Sequence, residues 1–410
     1  AEPFYRAAVE ADLRLYGEAD PRHAADLGAL AATLDDMGRH LEAEPLHRRA
    51  LALRRQVFGE RDAATAQAYA RMALNLDAQG RHAEAEPLHR TALKTDRELR
   101  GPRHLATAAD AAALGRNLDA QGRRDEAEVM LRQALEVRRR LLGDRAAETG
   151  ISFGDLADNL ARRGKAAGAE RMHRRALRIL AAARGPDDPA TASAYAALAA
   201  DLTAGRRAAE AEPLLAHALD ARRRVLGEGH PATAAAYDAM AENQRLLSAN
   251  VRAEALSARA VAIGRAHRAE GLAVAGHDAE ATLRRIRTDR EGPGAAQAPV
   301  LRRYLRLAWL AAVDRPADLP RLRDAAFVAA QDLEVSPAAR ALAQTAGRAA
   351  LGRKAGAGTA RLQQDLAGQV RQLEAQLVQA LPDRDPGEAA RIGDALDAVG
   401  SELALLETRL

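Results

Sequence analysis

Apolar side chains recur along this chain at helical spacing. Tyr69, Met72, Ala73 and Leu76 follow i, i+3, i+4, i+7, the pattern of a helix with one buried face. Gly80 interrupts the stripe, as a residue free to take positive φ at a helix end. A second stripe follows, Ala85, Leu88, Ala92 and Leu93, and stops at Gly101-Pro102, a strong breaker pair. The pattern predicts two helices, a turn, and then the same again.

The alternation has a fixed length. Glycine falls at positions 17, 59, 101, 143, 185 and 227, always 42 residues apart. Alanine keeps the period at 1, 43, 85, 127, 169, 211 and 253, and again at 8, 50, 92, 134, 176, 218 and 260. Glutamate keeps it at 2, 44, 86, 128, 170, 212 and 254. Such periodicity marks a stack of one supersecondary unit, each burying its apolar face only against its neighbours. Small residues in both alanine columns let helices approach closely. A larger side chain there overpacks the contact, at roughly 1–3 kcal/mol.

The unit resembles the tetratricopeptide repeat. Phe153, Leu156, Ala157, Leu160, Ala169 and Ala176 stand where that consensus asks for large and small residues. The period of 42 and segments such as Ala85-Glu86-Pro87-Leu88 resemble the longer, kinesin-light-chain-like type. The resemblance implies an all-α, right-handed solenoid over residues 1–268, with the first helices of the repeats lining a concave surface that binds proteins or peptides. Residues 1–16 match a second helix without its first. The expectation is a chain cut from a longer protein.

Two sets of polar residues on the first helices bear on that surface. Thr33, Asn75, Asn117, Asn159, Asp201 and Asn243 form one column. An amide both donates and accepts, so this column can bond along the stack or to a loop. Alternatively it faces the groove and binds a peptide backbone. Structural bonding is the preferred reading. The second set varies between repeats: Arg71, Arg116, Asp155, Asp158, Asp238 and Glu242. These resemble groove-lining positions of the family, and would make the groove basic early and acidic later. Ordinary solvated charge is the competing reading.

Composition narrows the function classes. The chain has 410 residues, a net charge of +4, no cysteine, and 3% aromatic residues. Disulfides, thiolate metal sites and a cysteine nucleophile are excluded within it. No segment approaches ~18 uninterrupted apolar residues, so no transmembrane helix is expected. Only three of 61 basic residues are lysine. The Ala/Arg bias suggests a GC-rich bacterial source, and the expected compartment is the cytoplasm. Arginine runs such as Arg138-Arg139-Arg140 raise nucleic acid as a partner. No aromatics interleave them, as base stacking would require. Glu2, Glu44, Glu86, Glu128 and Glu170 each precede an arginine by four residues, a stabilising order worth about 0.2–0.5 kcal/mol per pair. These ladders read as solvated helix faces.

Catalytic and metal signals are weak. Gly356-Ala357-Gly358 lacks the strand and final glycine of a phosphate loop. No nucleophile elbow or His-Glu-x-x-His occurs. His47, His89 and His173, with His40 and His82, are repeat columns whose members lie about 8–10 Å apart on packed helices. Zinc needs nitrogen ligands at about 2.0–2.1 Å. No cofactor or metal is expected.

The pattern decays after the seventh copy, and position 269, due to be glycine, is Ala269. Residues 269–299 read as a helical extension and linker. Residues 300–353 read as a helical connector, with helices at about 300–313, 319–334 and 337–353 and N-caps at Asp318 and Ser336. Residues 354–410 carry heptad stripes, Leu362 to Leu377 and Ile392 to Leu410, separated by Pro382 to Gly387. They predict an antiparallel coiled-coil hairpin, through which copies of the chain can associate. The segments 324–331 and 336–343, followed by a coiled coil, resemble the connector of bacterial tetratricopeptide–CHAT proteins. That resemblance implies a sensor and regulatory arm for a caspase-like peptidase domain outside these residues, with no catalytic residue within them. A stand-alone adaptor is the alternative, and a nucleic-acid-binding solenoid comes third.

Overall fold

The computed structural model of the chain describes residues 2–17, 20–275 and 298–333, with Gln372 and Ala395 as single helical positions. Fifteen α-helices and no strand occur among them. The chain divides into two compact units, Ala1–His230 and Pro231–Leu410.

The first unit begins with α1 (Glu2–Tyr16). Five helix pairs follow: α2 (Pro21–Asp36) with α3 (His40–Phe58), α4 (Ala63–Ala78) with α5 (His82–Arg100), α6 (Leu105–Ala120) with α7 (Arg124–Leu142), α8 (Ala147–Arg162) with α9 (Ala166–Arg184), and α10 (Pro189–Ala204) with α11 (Ala208–Leu226). Every first helix has 16 residues and every second helix 19. First helices start on a cap where the sequence supplies one. Asp62 Oδ1 accepts from Ala64 N at 2.7 Å, and Asp188 Oδ1 from Ala190 N at 2.9 Å.

The glycine ladder has a backbone cause. Gly59, Gly101, Gly143, Gly185 and Gly227 cap the second helices with φ between 79° and 91° and ψ within about 15° of 180°. That region is open essentially to glycine alone. An added Cβ would meet nothing within 4 Å at any of the five, so conformation and not space demands glycine. The turn inside each pair uses a milder left-handed residue. Gly38, Gly80, Gly122 and Gly164 hold it, but Arg206 takes φ 58° and Ser248 φ 60° in the same column. A side chain is tolerated there at moderate cost, which is why this second ladder lapses earlier.

From α3 onward both alanine columns are buried. Ala43, Ala85, Ala127, Ala169 and Ala211 are all 0% exposed. Around them pack the large residues expected from the stripe, as in the cluster of Phe153, Leu156, Leu160, Ala169 and Ala176 with Leu131.

The second unit holds the pair α12 (Pro231–Leu246) and α13 (Asn250–Ala275), then α14 (Ala298–Asp314) and α15 (Leu319–Leu333). With alanine at 269, nothing enforces the glycine turn, and α13 runs through it for 26 residues. Leu307 of α14 packs against Ala241 of α12 and Ala253 of α13. Tyr304, Leu305 and Trp309 close a core with Val261, Leu322 and Ala326. Asp318 ends a short 3-10 turn just before α15. The third expected connector helix, Ser336 and, apart from Gln372 and Ala395, the coiled-coil hairpin lie outside the described residues.

Candidate functional site

The first-helix face is built on a buried polar column. Asn75 Nδ2 donates to Asp35 Oδ1 at 2.7 Å and to the His40 carbonyl at 2.8 Å. Asn117 repeats this one unit on, to Asp77 Oδ1 at 2.6 Å and the His82 carbonyl at 2.9 Å. Asn159 does so again, to Asp119 Oδ1 at 2.7 Å and the Arg124 carbonyl at 3.0 Å. Each asparagine therefore ties its repeat to the preceding one. Asn75, Asn117, Asn159 and Asn243 are all buried, so they sit inside the stack and not on the groove surface. Thr33, first in the column, instead donates to the Ala29 carbonyl of its own helix at 3.0 Å.

The histidine columns belong to the same network. His40 Nδ1 and His47 Nε2 lie 2.9 and 2.7 Å from the two oxygens of Asp35. His82 and His89 hold Asp77 at the same distances. Burial pushes both carboxyls up, but these bonds and the asparagine outweigh it and hold each at about 2. In the fourth pair Ala161 replaces the aspartate. His173 turns instead to Asp201 Oδ2 at 2.7 Å and Asp158 Oδ1 at 3.2 Å. Asp201 occupies the asparagine column, so the carboxylate has moved from one repeat to the next. Burial lowers the His173 imidazole, yet the two carboxylates prevail and raise it to about 9.

The glutamate column is more than a solvated ladder. The expected pairs four residues apart form, as in Arg90 to Glu86 at 2.9 Å. The same carboxylates also receive an arginine from the turn of the next pair: Arg39 to Glu2 at 2.7 Å, Arg81 to Glu44 at 2.8 Å, Arg123 to Glu86 at 2.7 Å and Arg207 to Glu170 at 2.7 Å. Each of those arginines also grips the glutamate three residues on, as Arg81 does Glu84. Burial raises Glu86, but Arg123, Arg90 and Gln121 outweigh it and hold the carboxyl at about 2. These clamps cross repeat boundaries and are partly shielded. The arginines at 39, 81, 123 and 207 keep the 42-residue period, which was the available signal in the sequence.

The variable set divides by position. Arg71 and Arg116 are exposed on α4 and α6. Arg116 donates to Asp155 Oδ2 of α8 at 3.0 Å. Burial still pushes the Asp155 carboxyl up, against Arg116 and Arg138. Asp158 is half exposed and faces His173. In the second unit, Asp238 accepts from Arg303 of α14 at 2.5 Å, and Glu242 from Arg245 at 2.6 Å. The acidic stretch expected along the groove is thus neutralised by internal partners, while Arg71 forms no ion pair among the described residues.

A recess of about 200 Å³ opens on this face between α2 and α4. Gly28, Ala29 and Ala32 of α2, Arg54 of α3, and Gln67 and Arg71 of α4 are among the residues that line it. Arg54 was not singled out from the sequence; its column varies too, as Asp96, Arg138, Leu180 and Arg222. One repeat on, Asp96 and Asp110 form a buried carboxyl pair, and burial plus the Asp96 charge push Asp110 up to about 7. Among the described residues no group of three or more histidine, aspartate or glutamate side chains is arranged to hold a metal ion.

Stacked helix pairs locked by buried columns define a helical-repeat scaffold. Residues 27–98, 64–140 and 121–182 match one tetratricopeptide repeat model, and residues 191–232 match another. The chain therefore carries tetratricopeptide repeats. Among solved structures it is similar to BtubC (BKLC) from P. vanneervenii, at 24% identity over 55% of this chain and 91% of that one, TM-score 0.44. It is also similar to a putative kinesin light chain of Podosopora anserina with nearly identical repeats, at 20% identity over 50% and 97%, TM-score 0.40. No curated protein matches the chain.

Proposed function

We propose that the first-helix face is the working surface of a protein- or peptide-recognition scaffold. One observation carries this reading. Columns that repeat faithfully are buried and bonded, whereas exposed positions on the same helices change from repeat to repeat. Arg71, Leu74, Arg116 and Asp158 are exposed on that face, and no two neighbouring repeats present the same side chains there. Extended faces of this kind suit large partners through many modest contacts.

In its finer form the scaffold is the sensor arm of a bacterial CHAT-type caspase-like peptidase. Residues 324–331, on α15, support this by resemblance. A stand-alone adaptor accounts for the repeats equally well. A nucleic-acid role has less support, since most of the surface arginines named here pair with carboxylates.

Panning a random peptide library on the immobilised chain tests the recognition reading. Enriched peptides should cross-link to α2, α4, α6, α8 or α10. Enrichment of no sequence, or cross-links confined to the second helices, would contradict it. Reading the coding sequence past residue 410 tests the finer form, and finding no His/Cys-bearing domain there would leave the adaptor.

A further inference from the structure

One pair of columns repeats without being buried. The last turns of three successive second helices carry an apolar side chain at the same position: Val57 on α3, Leu99 on α5 and Leu141 on α7. They are 38%, 48% and 51% exposed. Phe58 and Leu142, the next residues on α3 and α7, are exposed as well. Four positions further on, just past the glycine cap, an arginine keeps the same period: Arg61, Arg103 and Arg145. All three are exposed. In the fourth pair both columns lapse, at Ala183 and Asp187. Leu15 and Val225 continue the apolar column at either end, but Ala19 and Gly229 stand where the arginine would be.

We propose that this double row is a docking edge for an amphipathic helix of a partner protein, with carboxylates bordering the partner's apolar stripe. The edge lies at the ends of the second helices, apart from the first-helix face, so the inference does not rest on the recognition reading above.

The arginines set the charge of the partner. Elsewhere in the stack a periodic arginine is clamped, as Arg81 is by Glu44 and Glu84. Here Arg103 and Arg145 form no ion pair among the described residues, and Arg61 approaches Glu98 only to 3.7 Å. Arg97, on the last turn of α5, is exposed and likewise unpaired among them. The carboxylates of the neighbouring turns are already taken. Glu60 accepts from Arg55 and from the Tyr69 hydroxyl, and Asp144 accepts from Arg139. Free guanidinium groups beside uncovered apolar side chains match a surface that is both apolar and anionic.

The arrangement sets the partner's shape. Apolar side chains that recur once per repeat form a single file, and an amphipathic helix offers its apolar residues along one stripe. A lipid surface fits less well. It would bring the partly exposed Glu98 and Glu136 against anionic headgroups, and a single file presents no plane to a bilayer.

Fluorescence anisotropy with a labelled, helix-stapled peptide tests this. Its leucines lie on one face with glutamates along both borders, and a twin carries lysines in place of the glutamates. The protein variants are Leu99→Ser, Leu141→Ser and the double reversal Arg103→Glu with Arg145→Glu. Val129→Ser is the control, since Val129 is exposed on α7 outside the row. Circular dichroism checks that each folds. The glutamate helix should bind the unaltered chain, more weakly as salt rises. Leu99→Ser and Leu141→Ser should each weaken it about tenfold, and Val129→Ser should not. The double reversal should abolish binding of the glutamate helix and admit the lysine twin. If that variant does not fold, the serine variants and the twin peptide decide. Absence of binding to the unaltered chain would overturn the proposal, as would equal binding of the two peptides to it. Equal affinity for folded Leu141→Ser and Val129→Ser would do so too. Phosphatidylglycerol vesicles that bind through the same leucines, where the glutamate helix does not, would assign the row to a lipid surface and overturn it. Peptides enriched on the first-helix face, with no helix bound at this edge, would remove this proposal and leave the recognition reading. Edge binding with no enrichment on that face would do the reverse.

Discussion

The α2–α6 and α8–α10 segments solve the same packing problem with the charges exchanged. In α2–α6 a carboxylate at the end of a first helix, Asp35 or Asp77, collects two histidines and the next repeat's asparagine. In α8–α10 Ala161 stands in place of that carboxylate, and the neighbour supplies Asp201 from the asparagine position to hold His173. What the stack requires is a satisfied buried network across each boundary, not a particular residue at a particular column. The two forms differ in how protons stabilise them.

The comparison can be broken by swapping the forms. Asp201→Asn alone should take the nearer negative charge from His173, though the amide oxygen can still accept from its ring, and destabilise the first unit by about 1.5–3 kcal/mol. Adding Ala161→Asp rebuilds the α2–α6 arrangement and should recover most of that loss in urea unfolding. If the double variant is no more stable than the single one, the two networks are not equivalent.

Titration separates the segments next. The raised His173 contributes stability that is full below about pH 6.5 and lost as pH rises through about 9, on the order of 3 kcal/mol. The lowered Asp35 and Asp77 contribute stability present above about pH 4 and lost as pH falls toward 2, about 2 kcal/mol each. Hydrogen exchange, corrected for intrinsic rates, should therefore open α8–α10 first in alkali and α2–α6 first in acid. The same order in both directions would contradict the exchange of roles.

Smaller effects sharpen the backbone side of the account. Gly143→Ala should cost about 1–3 kcal/mol, because its φ of 85° with ψ of 171° is closed to alanine. A glycine placed at Arg206 should stabilise by a few tenths of a kcal/mol or more, since φ there is already 58°. Thermal melting checks both, and equal responses would mean that the two turns impose the same demand.

Much of the fold was legible because each repeat acts as a control for the others. The alanine, glycine and glutamate columns announced themselves by position, and the apolar stripe gave the helices. Side-chain partners were less legible. Asn75 and His47 lie 28 residues apart in sequence and meet at one carboxylate, Asp35, which no single column identifies. The histidines could be set aside as zinc ligands but not assigned to their aspartates. On the candidate face, Arg71 and Arg116 emerged as exposed. Asp238 and Glu242 did not, because Arg303 reaches them from a helix 65 and 61 residues further on, beyond the repeats that guided the reading. Arg54 was invisible as a site because its neighbours' smallness, at Gly28, Ala29 and Ala32, creates the recess.

The central claim is that buried columns hold the stack while the exposed positions beside them recognise partners. Arg71 and Asn75 sit one helical turn apart on α4, the first exposed and the second buried, and measuring both stability and peptide affinity for Arg71→Ala and Asn75→Ala tests it most directly. The account predicts that Arg71→Ala loses affinity for a selected peptide with unchanged melting. It predicts that Asn75→Ala melts lower and, while folded, binds as before. The opposite assignment, affinity lost through Asn75 with stability intact, would contradict it.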